Sequence, residues 1–280
     1  MSEYRFSSAL GYTFEQLAEM HNLSFSGYFM PANMTPAQVA DFWRINQIDA
    51  TRCVVMHDVD GAFVGMARMG TRGERGWCGG FGIVPAFRGS GASRQLAEEM
   101  VRVARATGLS QLQLEVLTQN IRAHKLYERV GFVVQRRLVG LQLATSALPT
   151  SDSVAPVIER VPLETLLSWS RDNLAQPVWG FELASLLTMP CELLVASGPD
   201  GAQNAFTVQH YGESIRVQVA RYQLPLTDDA FAALLRALAG DAATIHIFNE
   251  PEDSPFLDHY RHLGFSEFFS QYEMLLKFSE

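Results

Sequence analysis

Cysteine is scarce in this chain: 280 residues contain only Cys53, Cys78 and Cys191. Their wide separation excludes the paired spacing of a zinc site, and the odd count argues against a disulfide framework. Long apolar runs are missing as well, since no stretch reaches the ~18 residues that a membrane helix needs. The first residues, Met1-Ser2-Glu3-Tyr4-Arg5-Phe6, have neither the basic end nor the apolar core of a secretory signal. A soluble, cytoplasmic protein with no membrane partner and no metal is the expectation. Basic runs are lacking too, so no nucleic-acid partner is expected.

What is present is ordinary globular material, 48% hydrophobic and 19% charged. The length is about twice the usual ~150 residues per domain, so two domains are expected. Charge is divided unevenly. Residues 1–145 hold 15 Lys+Arg against 12 Asp+Glu, or +3, whereas residues 146–280 hold 7 against 18, or -11. This asymmetry favours a small anionic ligand in the first half and a cationic one near the second.

A seam lies at Ala144–Ser153, where small polar residues and proline cluster without a hydrophobic period. The domains expected from it are 1–145 and 155–280. Before the seam, Thr13-x-x-Gln16 and Thr35-Pro36-x-Gln38 read as capping boxes that open helices. Strand-like runs follow at Cys53–His57, Ala62–Met69 and Trp77–Val84, with Asp60-Gly61 turning between the first two. A helix spans about Gly91 to Thr107, burying Ala92, Leu96, Met100 and Val103. Gln111–Leu117 alternates as a strand, Asn120 caps a helix that Gly131 stops, and Phe132–Leu143 returns to strand. That order predicts an α+β fold around a mixed, mostly antiparallel sheet.

The second half repeats the order. Strands are expected at Glu192–Ser197, Ala205–Tyr211 and Ser214–Tyr222, a helix at Asp228–Ala239, and a strand at Thr244–Phe248. A helix then ends at Tyr260-Arg261-His262-Leu263-Gly264-Phe265, before a last strand near Glu273–Phe278. The repeated Tyr-x-x-x-Gly-Phe at Tyr127 and Tyr260 points to a degenerate tandem duplication.

The strongest local signal is Ile83-Val84-Pro85-Ala86-Phe87-Arg88-Gly89-Ser90-Gly91-Ala92-Ser93. It leaves a strand, turns through small residues and opens an amphipathic helix, which offers backbone N–H groups at the positive end of a helix dipole. The segment is either an anion site suited to a pyrophosphate or a plain surface turn. A nucleoside-triphosphate loop is excluded because no Gly-Lys-Ser/Thr follows, and a dinucleotide fold because the preceding strands form a meander.

This segment resembles the coenzyme A loop of the GNAT superfamily of N-acetyltransferases, Arg/Gln-x-x-Gly-x-Gly/Ala, here Arg88-x-x-Gly91-x-Ser93 with serine at the last position. A second family motif also matches, as Asn120-x-x-Ala123-x-x-Leu126-Tyr127-Glu128-x-x-Gly131-Phe132. The resemblance covers residues 50–143 well and residues 1–50 only by their helix pair. It implies two GNAT-like domains and transfer of an acetyl group from acetyl-CoA, as co-substrate, to an amine by direct attack. Ile83 and Val84 would then hold the pantetheine arm by their backbone. Arg88, Gly89, Ser90, Gly91, Ala92 and Ser93 would hold the pyrophosphate, with Asn120 and Ala123 lining the cofactor. Tyr127 would protonate the departing thiolate, a role open to a phenol that is neutral at pH 7; the other reading is a core aromatic.

Glu115 is the leading base for the amine proton, on the strand face opposite Leu112, Leu114 and Val116. A structural glutamate with a water relay serving as base is the alternative, and Glu74 and Asp58 rank lower. Cys78 reads as a small buried hydrophobe, and His259 and His262 as structural. The second half has no such loop; Asp228 and Asp229 stand where phosphates would dock. That domain is therefore expected to lack a CoA site and to shape the acceptor side. A small-molecule or peptide amine is the expected acceptor, and a monomer or homodimer the expected assembly. A non-catalytic acyl-CoA-binding regulatory module is the alternative function.

Overall fold

The computed structural model describes residues 4–29, 33–151, 157–169, 177–197, 203–223 and 226–278. The chain divides into two compact units, one of Met1–Gln135 with Tyr272–Glu280, the other of Arg136–Gln271. In the first, β1 (Arg5–Ser7) precedes helices α1 (Phe14–Ser24) and α2 (Pro36–Asn46). Both helices begin on complete capping boxes. Thr13 and Thr35 accept the N–H groups of Gln16 and Gln38, whose side chains accept the cap N–H in return. Each cap contributes about 1 kcal/mol.

The meander follows as β2 (Val54–His57), β3 (Phe63–Arg72) and β4 (Arg75–Ile83). Asp58 closes the turn between β2 and β3, its Oδ1 accepting the N–H groups of Asp60 and Ala62. Helix α3 (Ala92–Ala106), β5 (Gln111–Leu117), α4 (Ile121–Arg129) and β6 (Val133–Ala144) come next. The second unit carries β7 (Ile158–Val161), the short helices α5 (Thr165–Trp169) and α6 (Leu183–Leu186), then β8 (Glu192–Ser197), β9 (Gln203–Tyr211) and β10 (Ser214–Arg221). It continues through α7 (Asp228–Ala239), β11 (Thr244–Pro251), α8 (Leu257–His262) and β12 (Ser266–Lys277). Sequence patterning missed β1, β7, α5 and α6, and it started β12 seven residues late.

Strands of the first unit lie in the order β1-β2-β3-β4-β5, followed by the end of β12. All pair antiparallel from β1 to β4, and β4–β5 is parallel. One face packs α3 through Leu96, Met100 and Ala104 against Val64, Ala67 and Leu112. The other packs α1 and α2 through Leu17, Ala18 and Val39 against Val55 and Met66. In the second unit the order is the start of β12, then β6-β11-β10-β9-β8-β7, and β10–β11 is the parallel pair. This is the expected α+β arrangement of helices on a mixed, mostly antiparallel sheet. Among the described residues, no helix is long and apolar enough to cross a membrane.

The packing units differ from the expected division at 1–145 and 155–280. Residues 138–144 of β6 pair with β11, which holds that strand in the second unit. The seam forms a tight turn at Thr145–Ala147, where Thr145 N–H donates to Ala243 O at 2.9 Å; Asp152 and Ser153 lie outside the described residues. The end of β12 belongs to the first unit instead: Met274 is fully buried in its core, and Phe278 N–H donates to Ser110 O. Both exchanges arise from pairings between residues far apart in sequence.

Candidate active site

The site begins where β4 and β5 part. Their register runs from Arg75↔Gln111 to Cys78↔Leu114 and stops, although β4 continues to Ile83 and β5 to Leu117. A bulge causes the divergence. On the other edge of β4, Arg68 pairs with Gly80 and Met69 with Cys78, which leaves Gly79 as an extra residue. A bulge bends its strand and raises the local twist. The result is a backbone cleft, open on the β4 side from Gly79 onward.

Beyond β4 the chain makes one tight turn at Pro85–Phe87 and enters α3 through Arg88-Gly89-Ser90-Gly91. Gly89 and Gly91 have φ of +82° and +92°, the left-handed region that glycine reaches without strain, and a Cβ on either would meet open space. The first turn of α3 has no acidic residue and no side-chain cap from Gly91. The start of this 15-residue helix is free of negative charge, with Ser90 Oγ accepting the Ala92 N–H at 3.4 Å, and a helix start of this kind is suited to an anion. Ser90 supports the turn, its hydroxyl donating to Phe87 O at 2.7 Å.

Arg88 takes a different direction from the one its charge suggests. Its Nε donates to Ile83 O at 3.0 Å, and its Nη2 to Ser24 O and Ser26 O at 3.2 and 2.7 Å. The guanidinium thus straps the turn to the end of α1. Val84 uses both backbone groups within the fold: its N–H donates to Val64 O, and its carbonyl accepts from Phe87 N–H.

Asn120 caps α4, accepting Ala123 N–H at 3.2 Å. Tyr127 lies on the buried face of that helix, its ring edge-on to Phe81 at 5.8 Å and packed on Phe132 at the same distance. Among the described residues its hydroxyl makes no hydrogen bond. Burial, followed by the Cys78 thiol and the Tyr28 phenol, holds Tyr127 well above the usual phenol range. It is a neutral donor at pH 7. Tyr28, missed in the sequence, is hydrogen-bonded to the Asn120 side chain, and burial raises its phenol too. The available signal was three aromatics, Phe25, Tyr28 and Phe29, in a small-residue loop after a helix, with neighbouring rings 5.3 and 5.5 Å apart.

Glu115 accepts the Trp77 indole N–H at 2.7 Å. Trp77 is buried, its ring lies against Gly79, where a Cβ would come within 2.2 Å, and it stacks near Phe42 at 6.0 Å. The carboxylate is therefore held beside the bulge that opens the cleft. Cys78 is buried, and burial pushes its thiol up to about 11, which makes it a poor nucleophile.

The second unit repeats this design with altered parts. Its parallel pairing stops at Arg216↔His246, and Ala220 is the extra residue in β10. Gly131 and Gly264 both have positive φ after their helices, and Phe132 N–H and Phe265 N–H donate to Tyr127 O and Tyr260 O at 3.0 Å each. The N-terminus of α7 differs. Thr227 caps it, Asp228 and Asp229 fill its first turn, and the Asp228 carboxylate binds His259 and His262. Leu224 and Pro225, before that helix, lie outside the described residues.

Tyr260 is fully buried, and its hydroxyl has no hydrogen-bond partner among the described residues. Burial of the neighbouring Glu250 raises its carboxyl to about 7, although Ser254 donates to it. Because the folded value lies above the unfolded 4.5, the folded chain holds a proton that the unfolded chain has lost between those values. Stability contributed below pH 4.5 is thus lost as pH rises to about 7, amounting to about 3 kcal/mol. Denaturant unfolding at pH 5 and pH 8 should show this loss in the wild type and much less of it in Glu250→Gln. Equal slopes for both proteins would contradict it.

Residues 14–132 match the family model described as Acetyltransferase (GNAT) family. The fold is similar to that of a GCN5-related N-acetyltransferase from Sphaerobacter thermophilus, with TM-score 0.70 and 13% identity over 98% of this chain and 95% of that one. It is also similar to a putative acetyltransferase from Pyrococcus horikoshii, with TM-score 0.67 and 16% identity over 99% and 90%. A tandem GNAT protein from the clavulanic acid biosynthesis pathway gives TM-score 0.68 and 13% identity over 99% and 100%. No curated protein matches the sequence.

Proposed function

Residues 14–132 match the GNAT acetyltransferase family, a family that uses acyl-CoA, and on that premise we propose that the chain acetylates a primary amine of a small molecule or peptide with acetyl-CoA. The observation that carries this reading is the cleft opened after Cys78↔Leu114, with the uncharged, glycine-flanked start of α3 near one end and Tyr127 packed on Phe81 of β4. The cofactor's pyrophosphate would lie on the backbone of Gly89–Ser93, and its pantetheine arm along the parted edge of β4. Arg88 would act on the cofactor by shaping the turn, since its Nε and Nη2 donate to Ile83, Ser24 and Ser26.

The chemistry follows from the residues around the cleft. The amine must be deprotonated before it attacks the thioester carbonyl, and Glu115, directly or through a water, takes that proton. A C–N bond forms, the C–S bond breaks, and the electron pair leaves on sulfur. Tyr127 donates its proton to that thiolate, with Tyr28 and Asn120 at its side.

The second unit is read as degenerate, with no cofactor site of its own. Thr227 already caps α7, and the charge of Asp228 and Asp229 repels a pyrophosphate there. Calorimetric titration with acetyl-CoA should give one site per chain, and thiol release should depend on an added amine. Two equivalent sites would overturn the assignment of one active unit. Tight binding with no thiol release across a broad amine panel would favour an acyl-CoA-binding regulatory module.

A further inference from the structure

Arg68 is a buried cation on β3, with 4% of its surface exposed, against residues of α2 and of the segments that follow α1 and precede α2. Burial lowers its guanidinium to about 10, so it keeps its charge at neutral pH. Among the described residues it forms no ion pair. Its Nη2 donates to Gly79 O at 3.3 Å, its Nη1 meets the Met34 sulfur at 3.9 Å, and its Nε is buried without a partner. Two half-buried rings flank it, Phe42 at 4.7 Å and Phe25 at 5.9 Å. Aromatic faces soften the loss of water but supply no counter-charge.

Its position ties it to the bulge in β4. Gly79 is the bulged residue of β4: its carbonyl takes the Arg68 bond, and its Cα rests against the Trp77 ring that holds Glu115. Arg68 and Glu115 therefore flank the same residue of the opened strand. Gly80, opposite Arg68 in register, makes room for the guanidinium, since a Cβ there would lie 2.3 Å from Nη2. We propose that Arg68 binds a carboxylate of the acceptor, so that the substrates are small amines that carry a carboxylate near the amino group. The inference rests on the acetyltransferase reading and names its substrate class. A planar monoanion suits one guanidinium whose Nε–H is buried without a partner, and it would complete the charge balance around a cation that has no ion pair among the described residues.

The test compares matched probes: alanine, 4-aminobutyrate, aspartate and phenylalanine against their carboxamides. Binding to the acetyl-CoA-loaded protein is measured by calorimetry, and turnover by thiol release. At least one acid should bind about tenfold or more tighter than its amide to the wild type. Arg68→Met should erase that preference by weakening the acid alone, with acetyl-CoA affinity unchanged. Arg68→Lys, which keeps the charge but loses the planar fork, should recover part of it. If Arg68→Met fails to fold, Gly80→Ala displaces the guanidinium and should lower the same acid preference. No preference for any acid, or equal losses for acid and amide, would overturn the carboxylate site. Thiol release with the amides at undiminished rate would sink this inference while leaving the acetyltransferase reading intact, and no release with any amine would sink the latter. In that event the binding comparison still decides the role of Arg68.

Discussion

Tyr127→Phe is expected to lower turnover by about 10²–10⁴-fold, the usual contribution of a positioned acid, while acetyl-CoA binds within about twofold of the wild type. That loss corresponds to about 3–5 kcal/mol of barrier. The substitution is clean because the phenol makes no hydrogen bond among the described residues, while its ring keeps Phe81 and Phe132 as neighbours. Folding stability should move by no more than about 0.5 kcal/mol. Single-turnover thiol release, under conditions where chemistry limits the rate, reads the effect. Unchanged rates would remove Tyr127 from proton transfer, and a loss confined to cofactor affinity would make it a positioning residue. Tyr260→Phe supplies the contrast. It removes a buried hydroxyl that has no hydrogen-bond partner among the described residues, so it should stabilise the chain by about 1 kcal/mol or more and leave turnover unchanged.

Gly91→Asp should abolish measurable acetyl-CoA binding, a loss of at least about 100-fold. Two effects act together. At φ +92° any side chain is strained, by about 1–3 kcal/mol, and the new carboxylate would lie against the phosphates at the start of α3. Gly91→Ala separates them, since it keeps the strain and omits the charge; it should lose a smaller part of the affinity. Calorimetry with thermal unfolding as a fold control measures both variants. Full binding by the aspartate variant would remove the α3 turn from cofactor recognition.

Local signals were legible where local physics decides. Thr13-x-x-Gln16 and Thr35-Pro36-x-Gln38 each form the reciprocal capping bonds that their spacing requires. The turn into α3 has its two left-handed glycines, and both Tyr-x-x-x-Gly-Phe motifs close the same helix end. Side-chain direction was less accessible. Arg88 sits in a loop that reads as anion-binding, yet its donors go to three carbonyls, two of them about sixty residues away in α1 and its exit. Nothing in Ala67-Arg68-Met69 marks the arginine as buried, because a strand residue's surroundings depend on which helix covers it. The exchange of strand ends was hidden for the same reason. Pairing partners of β6 and β12 are set by residues more than a hundred positions apart, and β12 begins with Ser266 and Glu267, which mimic a loop.

The placement of residues 272–278 also sets an order in time. Met274 seals the core that contains Tyr127, and Phe278 bonds to the start of β5. On the ribosome, the first 135 residues emerge long before the segment that completes their sheet. The first unit is then obliged to wait, partly formed, until translation has delivered the second. A chain broken off in its second half would leave the core around Tyr127 uncovered, however intact its motifs.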